Sequence, residues 1–416
     1  MRDPVKAQYE AYPYPERDPA EETRRLIVGS PSHLLEVNHY VFGGRRDFAR
    51  PFRALIAGGG TGDGTIMLAQ QLAWRGSPAE VVYIDVSRAA MRIAEARARA
   101  RGLKNVRFLH GSLLDLTKMG LGRFDYIDCC GVLHHLPDPR QGLKVLGGAL
   151  AEDGGMGVMV YGELGRTGVY HMQAMLRLLT RDGEPDKARL ALARRLYQGL
   201  GPTNWLKRNP FVGDHRQGGD AGLYDLFLHS RDRAYRVPEV AQLVASAGLE
   251  ITAFIVPARY DPATYLTDPE LKGRAARLPW IERCALAELL AGNLKSHVFY
   301  TVKAGRAMQA VARPDGADAT PVLREADGPA LARGLEKGAR LAMDFDGVKV
   351  RYALPALAPA ILKAMDGRRS LEEIHRALAC DGGPDRAGFK AAFDRLYAVL
   401  NGLNVMLIAY PSDTTG

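Results

Sequence analysis

Cysteine is scarce in this chain: four among 416 residues, Cys129, Cys130, Cys284 and Cys380. No two have metal-ligand spacing, and adjacent Cys129 and Cys130 would point to opposite faces of a strand. Neither a disulfide framework nor a metal site is expected, and the cysteines read as buried thiols in a reducing cytoplasm. Long apolar runs are missing too. No stretch approaches the roughly 18 uninterrupted apolar residues of a membrane span, and Met-Arg-Asp-Pro-Val-Lys at the start has no apolar signal core. A cytoplasmic chain with no membrane partner is the expectation. The net charge of +9 raises nucleic acid as a partner. Its densest basic run is Arg88, Arg92, Arg97, Arg99, Arg101 and Lys104 against the single acid Glu95. No aromatic residues interleave that run, so it reads as a solvated helix and nucleic acid is disfavoured. The length exceeds what one core holds and predicts two or three domains.

What is present begins with Leu-Ile-Ala-Gly-Gly-Gly-Thr-Gly-Asp-Gly from Leu55 to Gly64, followed by Val-Val-Tyr-Ile-Asp-Val-Ser with its acid at Asp85. A buried strand running into Gly58, Gly59, Gly60 and Gly62 suits a tight turn beneath a nucleotide-like ligand, because glycine lets backbone N–H groups approach it. An acid at the tip of the next strand can accept hydrogen bonds from both ribose hydroxyls. The glycines do not follow the Gly-x-Gly-x-x-Gly dinucleotide pattern.

The block Phe124-Asp-Tyr-Ile-Asp-Cys-Cys-Gly-Val-Leu-His-His-Leu136, then a helical stretch, Asp153-Gly-Gly155 and an apolar strand to Tyr161, closely resembles class I S-adenosylmethionine (SAM)-dependent methyltransferases. The resemblance covers residues 50–162 well and 235–303 more loosely. It implies a Rossmann-like α/β sheet, SAM as cofactor and S-adenosylhomocysteine (SAH) as product. It also implies a cofactor site of Gly58, Gly59, Gly60, Gly62, Asp85, Val86, Ser112, Leu113, Cys130 and Gly131. One departure is Ala57, where the family usually has Asp or Glu; the change would weaken contacts to the methionine amino group. The Asn-Pro-Pro-Tyr motif of many nucleic-acid base methylases is absent, which tilts against that chemistry.

The pattern predicts a lid over residues 1–50, extended through the proline-rich stretch from Gln8 to Pro15. A methyltransferase domain follows over 51–303, with strands at 54–57, 81–85, 106–109, 126–130, 156–161, 249–256 and 297–302. Two mostly helical insertions, about 163–232 and 257–294, would cap the C-terminal edge of the sheet. Residues 304–323 read as a linker. Residues 324–412, with Ile-Leu-Lys-Ala-Met-Asp-Gly-Arg-Arg-Ser-Leu-Glu-Glu-Ile, resemble small α+β winged-helix modules of the PqqD type, which can grip peptides; Ser370 and Glu373 have capping-box spacing.

Methyl transfer asks for alignment and, for some acceptors, a base. His134, Glu163 and His229 are the candidates for that base. Tyr12, Tyr14, His135, Tyr161, Arg166, Tyr170 and Tyr235 are the candidates for lining an acceptor pocket, with Tyr9 beside them in the lid. The preferred reading is a methyltransferase for a small-molecule acceptor by direct in-line transfer. Its rivals are a protein or peptide side-chain methyltransferase recruiting through the C-terminal domain, and a non-catalytic SAM sensor or nucleic-acid-binding protein. A homodimer remains open.

Overall fold

The structure is a computed structural model that describes residues 4–181, 183–336, 341–380 and 382–411. Seven strands form the central sheet: β1 Phe52–Ala57, β2 Ala79–Asp85, β3 Val106–His110, β4 Phe124–Cys130, β5 Leu150–Tyr161, β6 Leu249–Ile255 and β7 Ser296–Lys303. They lie in the order β3-β2-β1-β4-β5-β7-β6. β1 pairs in parallel with both β2 and β4, so the order reverses between β1 and β4. In an open α/β sheet that reversal leaves a crevice at the carboxyl ends of the strands, where ligands bind. The strands are apolar almost throughout because helices cover both faces; Leu55, Val82, Tyr126 and Ile127 are fully buried. Asp63–Trp74, Arg88–Ala100 and Pro139–Ala149 are the crossover helices, the last two started by Ser87 and Asp138 side chains that accept backbone N–H bonds.

By contacts the chain divides into two compact units. One takes the residues up to His33, Phe48–Leu249 and Gly292–Val298; the other takes Leu34–Asp47, Glu250–Ala291 and the chain from Phe299 on. In the first, the proline-rich start differs from the extended segment the sequence predicts. A helix spans Pro4–Ala11, with Pro4 tolerated in its first turn, and it stops just ahead of Tyr12-Pro13, where the residue before proline is pushed out of the helical region. The first insertion holds helices Val169–Leu179, Asp186–Gly199, Trp205–Arg208, Asp214–Gln217 and Gly219–Phe227. They bury a core of their own that includes Val169, Met172, Leu176, Leu190 and Phe227, and Tyr12 packs against it.

In the second unit, residues 304–323 carry a short helix, Ala307–Ala310, and a strand, β8 Thr320–Leu323. β9 Leu341–Phe345 and β10 Val348–Tyr352 form an antiparallel hairpin, and β11 Met406–Ala409 pairs antiparallel with β8. Helices Ala358–Ala364, Leu371–Cys380 and Arg386–Gly402 enclose a core of Ile361, Leu362, Ile374, Phe393 and Leu396. The capping box forms as its spacing predicts: Ser370 N–H donates to Glu373 (2.8 Å) and Glu373 N–H to Ser370 Oγ (3.2 Å). All four thiols are free, and Cys380 is exposed rather than buried.

Candidate active site

The glycine loop leaves β1 with Gly58 at φ +75° and caps the next helix with Gly62 at φ +105°, both in the left-handed region that glycine tolerates. A Cβ at Gly58 would overlap the Val132 side chain, and one at Gly59 would overlap the Tyr83 ring. Tyr83 Oη donates to Gly60 O (2.7 Å), pinning the turn from below. Asp85, at the end of β2, accepts from Gly60 N–H (2.8 Å) and Ser87 N–H (2.7 Å). Burial raises its pKa against those bonds.

The N-terminal segment is fastened across this loop. Ser87 Oγ donates to Tyr9 O (3.0 Å) and Thr61 Oγ1 to Pro15 O (2.8 Å). Glu10 accepts from the Arg88 and Ala89 N–H groups at the helix start. Arg97, fully buried, donates to Glu22 (2.7 Å), to Thr61 O (2.8 Å) and to Asp63 (2.6 Å). It is therefore not part of a solvated basic stripe, and Arg101 also pairs with Glu22.

Beneath this segment lies a cavity of about 370 Å³ at the carboxyl ends of β1, β2 and β4. All ten residues expected around a cofactor line it: Gly58, Gly59, Gly60, Gly62, Asp85, Val86, Ser112, Leu113, Cys130 and Gly131. Of the expected acceptor residues, Tyr14, His135 and Tyr161 line it, and Tyr9 joins them. Asp128, at the carboxyl end of β4, lies in register with Ile56, one residue from Ala57. It is buried, accepts from Ser30 Oγ and from Ser32 Oγ (2.5 Å), and burial pushes its pKa up to about 6. The acid missing at position 57 is thus matched by a carboxylate on the adjacent strand. The residues present fit an adenosine-bearing cofactor: open glycine backbone, an acid at the tip of β2, apolar Ile84, Val86 and Leu113 as walls, and the buried carboxylate of Asp128 at the other end.

The other expected residues fall elsewhere. His134 is buried and stacks on Tyr161 (ring centroids 3.9 Å apart), and neither ring nitrogen has a hydrogen-bond partner among the described residues. Burial holds it well below the ordinary histidine pKa. Glu163 is exposed and off the cavity wall; its backbone N–H donates to Tyr235 O (3.0 Å) just past the end of β5. Arg166 is buried in an ion pair with Asp232 (3.0 Å) and lies over the Tyr161 ring, so it is already matched. Tyr170 sits beside Arg166, Tyr12 stacks on Tyr224 (4.8 Å), and Tyr235 packs under Arg233. Pro257, Tyr260, Trp280 and Cys284 of the second insertion line a cavity within the second unit.

A cluster the sequence did not predict as a unit stands at the cavity's far side, where Asp225 and His135 line the wall and His229 lies behind His135, off it. Asp225, from the helix Gly219–Phe227, accepts from Tyr9 Oη (2.9 Å) and Tyr161 Oη (3.2 Å). His135 Nδ1 lies 2.8 Å from Arg231 O, and His229 stacks on His135 (3.8 Å, 15° between planes). Donor atoms of His135, Asp225 and His229 lie within 4.8 Å of one another. Burial lowers both histidines, His229 to about 2, and raises Asp225. Asp225 and Asp128 are the wall residues that sequence reasoning missed; the signal for Asp225 was one acid inside the apolar run from Leu223 to Leu228, and that for Asp128 an acid inside the apolar strand β4.

Residues 55–156 match the methyltransferase-domain family. An uncharacterized Synechococcus protein, syc1184_c, is 29% identical over 71% of this chain and 70% of its own length. The demethylmenaquinone methyltransferase of Geobacillus kaustophilus is 34% identical, over 26% of this chain and 43% of the relative. Among solved structures, PKMT2 from Rickettsia typhi in complex with AdoHcy shares the fold at TM-score 0.63 and 14% identity, covering 92% of this chain and 76% of that one. Among the described residues no helix is long and apolar enough to cross a membrane. Residues 55–156 are thus a methyltransferase domain on a Rossmann-like sheet, and the cavity at its strand ends fits SAM as cofactor and SAH as product.

Proposed function

We propose that the enzyme methylates a small-molecule acceptor held in this cavity, by direct in-line transfer. The observation that carries this is closure. Tyr9 and Tyr14 from the N-terminal segment and Asp225 from the first insertion wall a space of about 370 Å³ that cofactor and acceptor must share. A wall of that kind admits a small molecule more readily than a folded surface.

The glycines at 58–62 would take the cofactor's backbone-facing side and Asp85 its ribose. Ser112 and Leu113 would flank the adenine, with Asp128, Cys130 and Gly131 at the methionine end. The AdoHcy in the Rickettsia PKMT2 complex supports that kind of ligand on this fold. The bound cofactor supplies an already activated methyl group. The protein's part is then to exclude water and align the nucleophile. His135 is the base: its Nδ1–H donates to Arg231 O, which fixes the tautomer and leaves Nε2 with a free lone pair. Its burial keeps that imidazole neutral at rest, with the lone pair open, and makes it a weaker base than a free histidine.

The test is incubation of the full-length protein with methyl-labelled SAM and a fractionated cell extract. Label in the low-mass fraction is the expected result. Label in protein or RNA overturns the small-molecule assignment.

A further inference from the structure

The carboxylate of Asp225 is an unusual thing to bury. Only 5% of the residue is exposed, and its hydrogen-bond partners are two tyrosine hydroxyls, Tyr9 Oη and Tyr161 Oη. Among the described residues no lysine or arginine is ion-paired with it. The nearby guanidinium of Arg166 belongs to Asp232 at 3.0 Å, and Arg231 reaches the cluster through backbone bonds to His135 and His229. The histidines facing Asp225 are held neutral by burial. Neutral hydrogen bonds satisfy the oxygen lone pairs but do not cancel a charge in a low dielectric, so burial favours the protonated acid until a cation arrives to complete the carboxylate. Asp225 lines the cavity, so that cation can come from a ligand.

Two kinds of cation suit two histidines and a carboxylate: a divalent metal ion or an ammonium group. The hydrogen bonds decide against the metal. Arg231 N–H donates to His229 Nδ1 (3.0 Å), which places the ring proton on Nε2, where Tyr9 Oη lies at 3.3 Å. A metal would need the lone pair at that same Nε2. The His135 and His229 rings are also stacked nearly parallel, so their in-plane lone pairs run along separate planes instead of converging on one ion. An ammonium makes neither demand. It needs an anion, acceptor atoms and aromatic faces, and Asp225 stands among Tyr9, Tyr14 and Tyr161.

We propose that the acceptor is an amine, seated as its ammonium on Asp225 among the rings of Tyr9, Tyr14 and Tyr161; this rests on the methyltransferase reading of the cavity given above. The seated ammonium loses one proton to His135 Nε2. The N–H bond breaks, its electron pair stays on nitrogen as the nucleophilic lone pair, and the imidazole only relays the proton on to solvent, since burial disfavours a lasting imidazolium.

The test uses full-length protein saturated with SAH and follows binding calorimetrically, without turnover. The probes are n-butylammonium chloride, n-butanol and zinc chloride. The expected result is that n-butylammonium binds and n-butanol binds about tenfold or more weakly, with the preference lost in Asp225→Asn. Equal binding of the ammonium and the alcohol by the wild type overturns the amine assignment, and this arm needs no variant to fold. Stoichiometric zinc binding that Asp225→Asn abolishes overturns it in favour of a metal centre. SAH affinity, measured first, keeps the two levels apart. A folded protein that binds no SAH refutes the methyltransferase reading of the cavity, whereas normal SAH affinity with no ammonium preference refutes only the amine.

Discussion

Replacing Asp128 by asparagine should remove a pH dependence that the wild-type site imposes on its cofactor. The carboxyl sits at the carboxyl end of β4, buried, with its pKa pushed up to about 6 by loss of solvent and held from rising further by the hydroxyls of Ser30 and Ser32. Only its ionised form attracts the cofactor's ammonium. Wild-type affinity for SAH should therefore be flat above about pH 6 and fall roughly tenfold per unit below it. At about pH 7 the variant should bind roughly 10- to 100-fold more weakly than wild type, the size of one lost hydrogen bond to a charged group, and its affinity should vary little down to about pH 5. The ligand-free protein should respond with the opposite sign. A carboxyl whose folded pKa is raised binds more protons when folded, so stability is gained as pH falls from about 6 toward the ordinary 3.8 and lost as it rises again. Relative to the variant, the wild type should gain roughly 3 kcal/mol across the whole window, of which about 1–1.5 kcal/mol falls between about pH 7 and 5. Calorimetric SAH titrations and urea unfolding at about pH 7, 6 and 5 on both proteins read the two effects. Parallel affinity curves would refute the reasoning and move the titration to Asp85, whose pKa burial also raises.

Asp85→Ala should weaken SAH by about 1–3 kcal/mol through loss of its charge-assisted hydrogen bonds; an unchanged dissociation constant in the folded variant removes the ribose assignment. Arg97→Met should destabilise the chain by roughly 2–4 kcal/mol in urea, because it strands the buried Glu22 carboxylate. The lower end is expected, since Arg101 still faces Glu22 and Arg17 still pairs with Asp63, and a change under about 1 kcal/mol would mean Arg97 does not fasten the N-terminal segment. His134→Phe should keep turnover and stay within about 2 kcal/mol of wild-type stability, because removing two unpartnered buried nitrogens offsets the strain of the larger ring. Loss of turnover with SAH affinity intact would restore His134 as the base.

The sheet and the cofactor side of the cavity were legible because both are local. Each strand is an apolar run, each crossover helix has its cap close by in sequence, and the glycine loop and Asp85 are separated by one helix. The acceptor side was not legible in the same way. Asp225 announces itself only as a polar break in an apolar helix, and Tyr9, Tyr161, His135 and His229 reach it from distant parts of the chain. Arg97 looked like one member of a basic run, yet its partners Glu22 and Asp63 bury it completely.

The sequence by itself determined the alternation of strands and helices, the turn at Gly58 to Gly62 and the acid at Asp85, since backbone sterics and hydrophobic periodicity act over a few residues. Tertiary structure alone decided that Glu163 faces outward, that His134 is packed without partners, that Asp128 stands beside the vacant acid position at Ala57, and that Asp225 is buried between two tyrosine hydroxyls. Burial sets the protonation state and partners of those side chains, and burial depends on which distant segments pack together.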